Sequence, residues 1–157
     1  MNDHNIPAST HSERSVWLTQ FCVRLFAVLL AGGCIAAPWF FRLFLQLRSP
    51  MLDGTYACFL VTTYVFAVPA FLALYLLNRL LANIRRSEVF IATNVTYLRA
   101  LSWCCFLSAV IFAVSAAYYI VFLFLALGMA FMGLILRVVK NAFERAVLLQ
   151  EENDYTI

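Results

Sequence analysis

Charge is the scarcest commodity in this sequence. Of 157 residues only 12% are Asp, Glu, Lys or Arg, whereas ordinary soluble domains carry about 25%. Hydrophobic residues make up 64% and the mean hydropathy is +0.88. A soluble fold of this size has to cover its surface with polar groups, and too few are present. This excludes a soluble enzyme or a nucleic-acid-binding domain, and the length allows no more than one domain. Histidine is nearly absent too. His4 and His11 both lie near the N-terminus, away from every apolar stretch, so a haem held by histidines on membrane spans is excluded. The five cysteines, Cys22, Cys34, Cys58, Cys104 and Cys105, show no C-x-x-C spacing and read as buried apolar side chains. No glycine-rich phosphate loop and no H-E-x-x-H occurs. The expectation is a non-enzymatic protein with no cofactor and no metal.

The few charges divide the chain into measurable blocks. Leu25 to Phe41 gives 17 uncharged residues, Gly54 to Asn78 gives 25, and Ala100 to Leu136 gives 37. A helix rises about 1.5 Å per residue and the hydrocarbon core is about 30 Å thick. The first block just crosses it, with Arg24 and Arg42 snorkelling from its ends. The second crosses comfortably. The third, about 55 Å long as one helix, must double back, and the small residues and two tyrosines from Ser115 to Tyr119 suit the turn. The sequence therefore predicts an all-α membrane protein, a bundle of four transmembrane helices over about 18–41, 54–80, 98–116 and 118–138. The membrane domain as a whole covers 16–150, and the last span runs on as a helix to about 150. A polar tail, 1–15, precedes the spans, and an acidic tail, 151–157, follows them.

Four spans put both termini on one side, with the connection between spans two and three. That side carries Arg14, Arg24, Arg79, Arg85, Arg86, Arg99, Arg137, Lys140 and Arg145, against Arg42 and Arg48 on the other. Such an asymmetry places both termini in the cytoplasm. The basic residues then face anionic lipid, and no direct nucleic-acid contact is needed. The N-terminal segment lacks the basic start of a secretory signal, and Ala31-Gly32-Gly33-Cys34 reads as part of a span rather than a lipoprotein cleavage site.

Inside the spans, small residues mark close helix approach, because lipid gives helices no hydrophobic reason to associate. Gly32, Gly33, Ala36 and Ala37 lie in span one, Ala109, Ala113 and Ala117 in span three, and Ala126, Ala130 and Gly133 in span four. Internal packing is the favoured use, with a homo-oligomer contact as the alternative. Pro69 is expected to kink span two and free a carbonyl. The uncharged blocks of the second, third and fourth spans, Gly54 to Asn78 and Ala100 to Leu136, hold no Asp, Glu, His, Lys or Arg, which argues against a proton-coupled exporter.

Two segments on the terminal side are more specified than anchoring requires. In Asn83 to Arg99 the basic pair Arg85-Arg86 precedes Val89, Phe90 and Ile91, and Thr93 or Asn94 is placed to cap the third span. At the C-terminus, Val139, Phe143, Ala146, Val147 and Gln150 make a narrow helical stripe before the acidic end. Acid at a helix C-terminus opposes the macrodipole, so the tail is expected to dock on Arg85 and Arg86 or on a cytoplasmic partner.

Pro69 followed by Tyr75 and Leu76, the series Ile84, Phe90 and Asn94, and Ala146 with the closing Glu152-Asn153-Asp154-Tyr155-Thr156-Ile157 resemble a bacterial four-span inner-membrane family labelled only as a domain of unknown function. That family usually has leucine where Tyr155 stands. The resemblance implies a membrane protein encoded beside a small Cro-like helix-turn-helix regulator. Together with the two specified segments, this gives an expected partner surface at Arg85, Arg86, Phe90, Asn94, Glu152, Asn153, Asp154, Thr156 and Ile157. The expected function is to hold or release that cytoplasmic regulator. A small transporter or channel component for uncharged or hydrophobic cargo, or a structural subunit of a membrane complex, is the alternative.

Overall fold

The computed structural model describes residues 8–48, 54–86 and 91–154. They form four helices and no strands: α1 (Ala8–Arg48), α2 (Tyr56–Arg85), α3 (Ala92–Ser115) and α4 (Val121–Asp154). All four are long and apolar enough to cross a membrane. The turn between α3 and α4 spans 116–120, where the backbone N–H groups of Ala116 to Tyr119 fold back onto the last carbonyls of α3. Successive helices are antiparallel, so the start of α1, the end of α2, the start of α3 and the end of α4 share one end, here called the basic end. The other, where Phe41, Phe59 and Phe122 converge, is the aromatic end.

The outer helices run well past the apolar blocks. α1 begins at Ala8, inside the segment expected to be a polar tail, and α4 continues to Asp154 instead of stopping near 150. A formed helix adds one hydrogen bond for each residue it fixes, so extension costs little once the apolar core has nucleated it. Packing follows chain order. α1 lies on α2, α2 on α3 and α3 on α4, and α1 and α4 share no packed face among the described residues. The bundle is therefore open between its first and last helices.

Small residues serve the α3–α4 contact. Ala109 and Ala126 are buried, and an added Cβ at Gly133 would sit 3.2 Å from the Phe106 ring. The glycines of α1 behave differently. Around Gly32 and Gly33 a Cβ would meet nothing within 4 Å, so of the four small residues there only Ala37 is buried as internal packing requires.

Several backbone carbonyls and hydroxyls within the apolar region find partners inside the protein, as a lipid environment demands. Pro38, inside α1, supplies no N–H to the carbonyl of Cys34, and the Tyr64 hydroxyl of α2 donates to that carbonyl instead at 3.2 Å. Tyr56 donates to the carbonyl of Pro38 itself, also at 3.2 Å. Ser108 and Ser115 return their hydroxyls to carbonyls one turn back, at 2.8 and 2.9 Å. Toward the aromatic end Thr62 Oγ1 lies 2.7 Å from Ser115 Oγ and 2.8 Å from Tyr118 OH, a three-hydroxyl chain joining α2 to the end of α3 and the turn.

Candidate functional site

The features beyond membrane anchoring gather at the basic end. Arg137 of α4 lies over the Trp103 and Phe106 rings of α3, its guanidinium carbon 5.6 and 5.9 Å from the centroids. A cation on an exposed tryptophan is an interfacial arrangement, and it marks where α3 and α4 leave the hydrocarbon. Arg79, with its Nε donating to Tyr75 OH at 3.1 Å, marks a similar level on α2. Beyond these residues the ends of α2 and α4 and the start of α3 continue as a packed helical projection.

A polar clasp closes the base of that projection. Asn83 Nδ2 donates to Asn94 Oδ1 at 2.8 Å, and Asn94 is fully buried. This overturns the expectation that Thr93 or Asn94 caps α3. The cap position is Ile91, in extended conformation and with no side-chain cap bond, and Asn94 lies a turn further on. The competing interaction is tertiary: Asn94 Oδ1 accepts from the Asn83 amide of α2 in a site closed to solvent, where an unpaired amide would be costly.

On α4, Lys140 and Arg99 both face Glu144. Lys140 Nζ donates to Glu144 Oε2, and Arg99 lies 3.8 Å from its other oxygen. The hydrogen bond from Lys140 holds the Glu144 carboxyl below its ordinary range, with the two cations adding to the effect. Exposed ion pairs of this kind contribute little energy, and the Arg99 contact joins α3 to α4 beyond the apolar region. Val147, about one turn past Glu144, is buried. Leu148 and Leu149 beside it are 55% and 66% exposed.

The residues singled out from sequence are distributed unevenly. Arg85 and Arg86 end α2 and are exposed, and the Arg86 N–H donates to the Asn83 carbonyl at 3.0 Å. Asn94 is inside the fold, not on its surface. Glu152 is exposed in the last turn of α4, and Asn153 and Asp154 complete that helix. Phe90, Thr156 and Ile157 lie outside the described residues. On α4, Glu144 is the acid that pairs with Arg99 and Lys140. Sequence reasoning overlooked Asn83 as the partner of Asn94, and the exposed Leu148–Leu149 pair. The first had no local signal. The second was legible as two leucines off the stripe that contains Val147.

Four apolar helices joined by short connections, with a charged helical projection at one end, define a multi-pass α-helical membrane protein. Residues 36–157 match the model of the protein-of-unknown-function family DUF2975, and the chain belongs to that family. Comparisons with curated proteins and with solved structures give no match.

Proposed function

We propose that this protein is a non-enzymatic docking partner in a bacterial inner membrane, holding a small cytoplasmic helix-turn-helix regulator on its basic end. The nine-to-two distribution of basic residues supports placing that end, and both termini, in the cytoplasm. The observation that carries the docking role is the exposed Leu148–Leu149 pair. Leu149 follows Arg137 by twelve residues on one helix, or about 18 Å. The polar layer of a bilayer is about 5–8 Å deep on each side, so a tilt of about 20° still leaves the pair beyond the headgroups. Two adjacent leucines held in water on a rigid helix, between Arg145 and Glu152, suit the apolar centre of a protein interface with a charged rim.

The test is a crosslinking pull-down from native membranes. It compares the full-length chain with a chain truncated after Gln150 and with the Leu148→Glu, Leu149→Glu double variant. Recovery of a small DNA-binding protein with the first and its loss from the others supports docking. Identical recovery from all three, or recovery of membrane subunits alone, overturns it.

A further inference from the structure

A second feature, remote from the basic end, lies where α1 packs on α2. Two contiguous apolar cavities of about 370 and 320 Å³ lie along α1 and share Phe40, Phe41, Thr63 and Phe66 in their walls. The first reaches Leu29 and the second reaches Phe44. Fifteen residues of helix separate these, so the groove runs about 22 Å along the helix axis. That is more than the roughly 15 Å depth of one leaflet's hydrocarbon. Gly33 and Ala36 form its shallow side and are exposed, while Thr62 and Phe112 lie buried in its deeper part. No charged residue is among the groove's lining.

We propose that this groove binds one acyl chain of a bilayer phospholipid. Shape argues for a linear occupant. A transmembrane helix is about 10 Å or more across, and a 22 Å length of it would need well over twice the volume of both cavities. Chemistry argues for a hydrocarbon whose headgroup stays outside. An uncharged lining offers nothing to a fatty-acid carboxylate, which would be desolvated without a partner. Orientation agrees as well, since the lining follows α1 lengthwise from Leu29 to Phe44 and includes residues exposed on the surface of that helix. The exposed small residues of α1 gain a use here: they are the low wall over which a chain enters.

The test is native mass spectrometry of the full-length protein, delipidated in mild detergent and titrated with dipalmitoyl phosphatidylcholine or dipalmitoyl phosphatidylglycerol. Gly33→Phe fills the groove, since a Cβ there meets nothing within 4 Å. Gly128→Phe is the control, because Gly128 on α4 is equally open and lies outside the lining. Ala36→Leu is a second, milder block. The proposal expects one lipid per chain, with the two headgroups equal within about twofold. Retention falls about tenfold or more in the Gly33 and Ala36 variants and is unchanged in the Gly128 variant. Equal retention in all variants overturns it. So does a strong preference for phosphatidylglycerol, which would mark a headgroup site. A lipid-free dimer that Gly33→Phe dissociates would show that a second copy fills the groove, and overturns it too.

Discussion

The Asn83–Asn94 clasp gives a quantitative handle on the projection. Asn83→Ala removes the donor and strands Asn94 Oδ1 in a site with no solvent exposure. Asn94→Ala removes the buried acceptor and strands the Asn83 amide, which is only half-buried and turns toward water at lower cost. Leaving a buried polar group unpaired costs about 1–3 kcal/mol, so each single variant is expected to destabilise the protein by an amount in that range. Once one partner is gone, the Asn83–Asn94 bond cannot be lost a second time. The double variant should therefore fall short of the sum by about 1 kcal/mol or more. The cycle cancels whatever else either side chain touches. The assay is unfolding in mixed micelles titrated with a denaturing detergent, followed by helical circular dichroism. Amide exchange should show the loss concentrated at the end of α2 and the start of α3. Additivity within about 0.3 kcal/mol would refute the reasoning, because it would mean that the two amides are uncoupled.

Other consequences follow from the same geometry. Thr62→Val keeps the shape of the side chain and breaks the hydroxyl chain to Ser115 and Tyr118. It is expected to cost about 0.6 kcal/mol, and no more than about 1.7, in the same micelle assay, since hydrogen bonds between membrane helices are worth about that much. Gly133→Leu forces a side chain into the Phe106 ring and should separate α3 from α4, read as a loss of about 1–3 kcal/mol and a red shift of Trp103 emission as Arg137 leaves its ring. The folded-state carboxyl of Glu144 lies below its ordinary value, so its pairing contributes fully at neutral pH and is lost as pH falls through that lowered value. Proteolysis within 140–154 should therefore stay constant from neutral pH down to the ordinary carboxylate range and rise only below it. Glu144→Gln should abolish that rise.

Much of the architecture was legible because it depends on where charges interrupt apolar runs. The 37-residue block had to turn, and the turn at 116–120 nearly coincides with the tyrosine-containing segment expected from interfacial chemistry. Helix ends were less legible, since hydropathy reports where a chain leaves lipid and not where its hydrogen bonding stops, as Ala8 and Asp154 show. The cap at Thr93 or Asn94 failed for a related reason. The same side chain suits a helix start and a buried amide pair, and only tertiary structure brings Asn83 opposite Asn94. Among 15 phenylalanines in a membrane protein, those facing lipid and those walling a groove have the same local signature. Topology separates them, by leaving α1 and α4 apart.

The unbroken course of α4 has a mechanical consequence. Phe122, in its first turn, lines the groove at the aromatic end, and Leu149 stands 27 residues further along the same hydrogen-bonded rod, about 40 Å away. A rod of that length, pivoting near its outer tip, turns a tilt of about 5° into a sideways displacement of about 3.5 Å at Leu149, on the scale of the helix shifts that remake protein interfaces. Phe122 in the groove and the exposed leucines are thus carried on one rod, so any tilt of α4 moves the two ends together. The linkage needs no change in secondary structure.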